Sequence, residues 1–190
     1  MRRYFRKDPD KRKLAISFFP EGGNLVAGIP CRVAFEAAWD DGQWTEGLLY
    51  IGNDSVPVTN RGRGVFTFTP QQGKRQQVQF RTLDGKNIKA DLPKPEDMGV
   101  ALQLLHEADS TSVINLQMTA DLVPDSMAIT VMHEGCLEYF RPLNGRTCTF
   151  SIPHRNLPAG VHQVSVFDTE GKVWADRLFF VRKQGFSQPS

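Results

Sequence analysis

The stretch Cys31-Arg32-Val33-Ala34-Phe35-Glu36-Ala37 decides the fold. Its odd-numbered residues are apolar, and the even ones include Arg32 and Glu36. Successive side chains of a strand point to opposite sides, so this segment turns one face to a core and the other to water. The same period of two returns in Gln77-Val78-Gln79-Phe80-Arg81, in Ile114, Leu116 and Met118 between polar neighbours, and in Thr147-Cys148-Thr149-Phe150-Ser151-Ile152. These are the marks of half-buried antiparallel strands.

Turn residues punctuate the apolar runs: Asp40-Asp41-Gly42, Asn53-Asp54, Gln72-Gly73, Asp84-Gly85, Glu134-Gly135, Asn144-Gly145 and Glu170-Gly171. Gly and Asn tolerate the positive φ of tight hairpins, which explains their placement. Short strands between such turns predict a sandwich or barrel rather than an α/β fold. Residues 96–108 come nearest to a helix, but Val100, Leu102 and Leu104 alternate and Gly99 weakens a helix. Two prolines, Pro93 and Pro95, mark a stiff extended break. The expectation is an all-β chain of two tandem immunoglobulin-like antiparallel β-sandwiches with about seven strands each. Their expected limits are 14–92 and 98–183, joined by a Pro-rich linker at 93–97, with a basic arm at 1–13 and a tail at 184–190.

The chain has 190 residues, of which 40% are apolar and 23% charged, the composition of a globular protein. No apolar run approaches the roughly 20 residues of a transmembrane helix. The formal charge of +2 hides an asymmetry: residues 1–13 hold seven Arg or Lys against two Asp, so the remaining residues carry −3. A nucleic-acid-binding protein spreads its cations over the folded surface, so no nucleic-acid partner is expected. The leader reads as a solvated arm. It lacks the apolar stretch of a signal peptide, which implies a chain that stays inside or a piece of a longer one.

Phe18-Phe19-Pro20-Glu21-Gly22-Gly23-Asn24-Leu25-Val26-Ala27-Gly28-Ile29-Pro30, followed by the strand from Cys31, resembles the opening of a macroglobulin-like domain of the second type. Gly62-Arg63-Gly64-Val65-Phe66-Thr67-Phe68-Thr69-Pro70 is similar to a later segment of such domains, and residues 160–168 with 174–181 are similar to the closing hairpin of a following module. The resemblance covers most of residues 14–182. It implies tandem macroglobulin-like sandwiches of a large Gram-negative cell-envelope protein that also carries a TonB-receptor plug-like domain. By the same resemblance the location is the periplasm or outer membrane. The partners are other domains of the parent envelope protein, or another envelope protein. Protease-trapping members of the wider superfamily carry a Cys-Gly-Glu-Gln thioester. Gly135-Cys136-Leu137-Glu138 leads into Tyr139 and offers no Gln to form that bond.

A catalytic centre needs a nucleophile, a base and an orienting group within reach of one another, and the sequence contains neither a G-x-S-x-G elbow nor an H-E-x-x-H helix. The reading is therefore of a non-enzyme without a cofactor or metal. Arg61-Gly62-Arg63-Gly64 precedes an aromatic strand, not the helix N-terminus that a phosphate cradle requires. His106, His133, His154 and His162 are scattered over strand ends and loops. Cys31, Cys136 and Cys148 match no zinc spacing, cannot all pair, and leave a Cys136–Cys148 disulfide open. The most suggestive feature is Trp39-Asp40-Asp41-Gly42-Gln43-Trp44, two indoles flanking a turn. Trp39 continues the inward parity of its strand, whereas Trp44 is freer to stack on a sugar ring. The functional expectation is a structural or protein-interaction pair of modules, with carbohydrate binding or adhesion through Trp44 and Trp39 as the alternative.

Overall fold

A computed structural model of the chain describes residues 12–59, 61–108 and 110–183, without the side chains of 106–108. Residues 1–11 of the basic arm and the tail 184–190 lie outside the described residues. Seven strands form the first half: β1 (Leu14–Pro20), β2 (Cys31–Trp39), β3 (Gly47–Ile51), β4 (Asp54–Val58), β5 (Arg63–Phe68), β6 (Gln77–Thr82) and β7 (Asn87–Asp91). Seven more follow: β8 (Val100–Ala108), β9 (Thr111–Met118), β10 (Met127–His133), β11 (Cys136–Pro142), β12 (Thr147–Pro153), β13 (Gly160–Asp168) and β14 (Val173–Val181). No helix among the described residues is long and apolar enough to cross a membrane.

The strands make two immunoglobulin-like sandwiches. In the first, a sheet ordered β1-β2-β5 faces a sheet ordered β4-β3-β6-β7. The second repeats that arrangement seven strands later, with β8-β9-β12 facing β11-β10-β13-β14. Every named pairing is antiparallel. Prolines sit where the ladder can spare a donor: Pro57 lies in edge strand β4, and Pro142 and Pro153 end edge strands β11 and β12.

The alternation in the sequence becomes burial. In β2, Cys31, Val33, Phe35 and Ala37 face the first core, and in β6 Val78 and Phe80 do the same. In β9, Ile114, Leu116 and Met118 face the second core beside Phe150 and Ile152 of β12. Gly64 lacks a side chain for a steric reason. A Cβ there would lie 2.5 Å from the Phe35 ring, so its absence lets the buried ring slide beneath β5.

The turn signals hold a distinction that residue type cannot carry. Glu134-Gly135 closes the β10–β11 hairpin and Asp84-Gly85 the β6–β7 hairpin. The Gln72-Gly73 and Asn144-Gly145 segments instead carry the chain from one sheet across to the other. Residues 96–108 resolve as an extended entry followed by β8, as their alternation requires.

Full burial of a Phe ring stabilises by about 1.5–3 kcal/mol, and a cavity left in its place adds to the loss. Phe80→Ala, at a fully buried site of the first core, is expected to lower stability by about 3–5 kcal/mol. Urea denaturation followed by circular dichroism measures this, and an unchanged midpoint would refute the strand parity.

Candidate functional site

The two tryptophans of the sequence reading lie at the end of β2 and just past the following turn. The turn is closed by the Gly42 amide donating to the Trp39 carbonyl at 2.8 Å and the Trp39 amide donating to the Gln43 carbonyl at 2.7 Å. Ala38 and Trp44 form an isolated antiparallel bridge. Trp44 therefore shares a face with Ala38, while Trp39, one residue on, points to the other side. The Trp39 ring is covered by cations, with the Arg12 guanidinium 4.8 Å and the Lys86 ammonium 4.5 Å from its centre. Arg12 also approaches Asp41 at 3.7 Å and donates to Gln43 at 3.0 Å, so the base of the leader is tied to this turn. Trp44 remains 52% exposed. The structure thus leaves one free indole here, not a two-ring platform.

A denser constellation lies between the sandwiches. Pro20 ends β1, and the chain turns through Glu21, Gly22 and Gly23. The Glu21 carboxylate is nearly buried. It accepts from the Leu104 backbone N–H at 2.5 Å and from the Arg177 guanidinium at 2.6 Å, with Arg32 at 3.7 Å. Leu104 and Arg177 belong to the second sandwich, Glu21 and Arg32 to the first. Arg177 follows the inward parity of edge strand β14, in line with buried Ala175, Phe179 and Val181. A guanidinium aimed inward at a sheet edge needs an anion, because burying an unpaired charge is costly. The first sandwich supplies that anion.

Neighbouring contacts reinforce the clamp. Gly22 has φ +85°, and a Cβ there would sit 3.1 Å from the Leu102 carbonyl, so glycine alone brings this loop onto β8. Gln103 donates to the Pro30 carbonyl at 2.5 Å. Across the 93–97 segment, Glu96 donates its N–H to Leu25 and accepts from Ala27 at 2.8 and 2.9 Å, in a short parallel bridge with Val26. Gly99 then exchanges hydrogen bonds with Thr119 of the second sandwich. Ala101 packs in the first core and its neighbour Leu102 in the second.

A third cluster comes from histidines that look scattered along the chain. In the second sandwich, the rings of His133, His162, Phe179 and His154 form a near-parallel series, with successive centroids 4.5, 5.3 and 6.2 Å apart. His133 and His162 direct Nδ1 at the carbonyls of Val161 and Gly160, at 2.9 and 3.2 Å. A carbonyl only accepts, so both Nδ1 atoms carry the proton. That leaves the His162 Nε2, fully buried, with no hydrogen-bond partner among the described residues. His154 is also buried and its Nε2 meets the Ser112 hydroxyl at 2.8 Å. Among the described residues there is no group of three His, Cys, Asp or Glu placed to hold a metal ion, and the side chain of His106 lies outside those residues. Cys31, Cys136 and Cys148 are free thiols. β11 and β12 lie in different sheets, so no hairpin joins Cys136 to Cys148. Burial pushes the Cys31 and Cys148 thiols up from their ordinary pKa.

No protein family, macroglobulin-like domains included, matches the sequence, and no curated protein is similar to it. Among solved structures, the chain is similar to the fibronectin(III)-like modules of Clostridium thermocellum CbhA, with 12% identity, a TM-score of 0.30, and coverage of 94% of this chain and 98% of that one. It is similar to domains 5–6 of the S-layer protein SbsC, with 8% identity, a TM-score of 0.39, and coverage of 92% and 100%. Invasin, a bacterial integrin-binding protein, gives 14% identity, a TM-score of 0.34 and coverage of 89% of this chain; the chain spans 39% of invasin's length.

Two outcomes follow from this geometry. Glu21→Gln keeps the shape but removes the anion facing Arg177, and is expected to cost about 1.5–3 kcal/mol in urea denaturation. For His162, burial foremost, with the nearby His133 and His154 imidazoles, holds the pKa below its ordinary 6.5, against the Gly160 carbonyl and Glu138, which favour the cation. The unfolded chain then takes up the proton first as pH falls. The His162 contribution is complete above about pH 6.5 and is lost as pH drops from there toward the lowered folded pKa. Denaturation midpoints taken from about pH 7.5 to about pH 5.5 should fall in wild type and fall less in His162→Phe.

Proposed function

We propose that the chain is a non-catalytic, rigid pair of modules that holds two interaction surfaces at a fixed angle within a bacterial cell-surface or envelope protein. The observation that carries this reading is the buried Glu21 carboxylate shared by Leu104 and Arg177 across the two sandwiches. Paired domains with small polar interfaces move relative to one another by default. Here a charge-assisted hydrogen bond, the close Gly22–Leu102 approach and the Glu96 bridge oppose that motion together. A spacer or docking support gains from two sandwiches held at a fixed angle. The modules proposed are 14–92 and 98–183, with 93–97 as a stitched connection. The finer assignment to macroglobulin-like domains of the periplasm or outer membrane rests on Phe18–Gly23, the loop that also builds the clamp.

A second reading, carbohydrate binding or adhesion, is favoured by the exposed Trp44 ring. An indole face stacks on the C–H side of a pyranose. If this reading holds, titration with a panel of polysaccharides shifts tryptophan fluorescence and Trp44→Ala abolishes the shift. Silence across the panel would remove it.

Residual dipolar couplings test the rigid pair directly. One alignment tensor is expected to fit the amides of both sandwiches in wild type, and Glu21→Ala is expected to separate it into two. Two tensors of different magnitude in the wild-type chain would overturn the reading.

A further inference from the structure

Each end of the second sandwich has a counterpart in the first, because the strand order recurs seven strands later. The β1–β2 loop corresponds to the β8–β9 turn, the β5–β6 connection to β12–β13, and the exit of β7 to the exit of β14. In the first sandwich these three connections form one pole, and the second sandwich is docked on it. The β1–β2 loop supplies Glu21, Gly22 and the Pro30 carbonyl to β8 and β14. It is laced to the other two connections by the Gly28 N–H on the Pro70 carbonyl and by Glu96 with Leu25 and Ala27. The corresponding pole of the second sandwich is laced in the same manner. The His154 N–H donates to the Ser110 carbonyl at 2.8 Å, and Lys183 Nζ donates to the carbonyls of His154 and Arg155 at 2.9 and 3.1 Å. This pole opens as a cleft of about 380 Å³ between Ser110 and Thr111, Pro153 to Arg155, and Arg182 with Lys183.

We infer that this second pole is a docking site for a protein partner that presents carboxylates to it. The repeat selects a protein, since the corresponding pole of the first sandwich holds a protein module. Charge selects the carboxylates. Arg155, Arg182 and Lys183 line the cleft, and no Asp or Glu does so among the described residues. Neither arginine makes an ion pair among those residues. At the first pole the receiving side brings the Glu21 carboxylate and the docked module the Arg177 guanidinium. At the second the receiving side brings the cations, so the signs are exchanged. Guanidinium groups take carboxylates through paired, charge-assisted hydrogen bonds, and both arginines are exposed. A nucleic acid or an anionic membrane selects cations spread along a face. Here three are confined to one cleft, while residues 14–190 carry a net −3.

The inference rests on the joint proposed above, because the first pole shows how such an end is filled. The test takes the full chain with two probes, a hexaglutamate peptide and inorganic phosphate, and follows the amide chemical shifts. Hexaglutamate is expected to shift Ser110, Thr111, Arg155 and Arg182 to saturation, less tightly as salt rises. Arg155→Glu and Arg182→Glu, both at exposed positions, are each expected to weaken binding about tenfold or more with the thermal midpoint unchanged. Lys89→Glu makes the same change of charge at an exposed site of the first sandwich and is expected to leave binding intact. No shifts at the cleft, equal losses in all three variants, or phosphate bound as tightly as the peptide would each overturn the inference. A silent cleft in a chain whose sandwiches share one alignment tensor would remove the docking site and leave the rigid pair intact. Two tensors would remove the joint, and with it the ground for a protein occupant.

Discussion

The contact on which the rest depends is a guanidinium on the wrong side of a strand. Arg177 has the parity of buried Ala175 and Phe179, so the second sandwich by itself would aim a permanent charge toward its own interior edge. An inward charge on an edge strand discourages pairing with foreign strands, but it must be neutralised. Glu21 does this from the other sandwich and so turns an edge defect into a joint. The joint sets demands nearby: a glycine at position 22 for close approach to β8, and a chain path at 24–27 that meets Glu96. Ala101 and Leu102, adjacent in sequence, fall into different cores. The two modules share a seam and are not merely strung on a linker.

The sandwich architecture was legible in the sequence because each strand is half-buried, and period-two alternation reports that state directly. Cys31–Ala37 and Gln77–Arg81 needed no partner to be read correctly. Turn residues were less informative: Asp84-Gly85 and Gln72-Gly73 look alike, yet one closes a hairpin and the other changes sheets. Local composition encodes the reversal of the chain, while the destination depends on which sheet the next strand completes.

The candidate sites were legible only where the neighbours in space are also neighbours in sequence. Trp39 and Trp44 stand out as a pair, and strand pairing sends them to opposite faces. Phe18–Gly23 stands out as a family-like opening, but nothing local reveals that its carboxylate serves Arg177. The histidines are the sharpest case. His133, His154 and His162 lie on two strands and a short 3-10 turn, and only the order β10-β13-β14 brings them together around Phe179. Inward parity at His162 was readable in principle, since Val164 and Val166 follow it at intervals of two.

The ion pair and the imidazole stack place opposite kinds of polar burial in one small fold. Glu21 and Arg177 meet as an ion pair at 2.6 Å across the two sandwiches. His162 is buried with its Nε2 unpartnered among the described residues, and burial favours its neutral form. Mild acid therefore acts on the second sandwich through His162. The orientation of the modules and the integrity of the second core rest on separate groups.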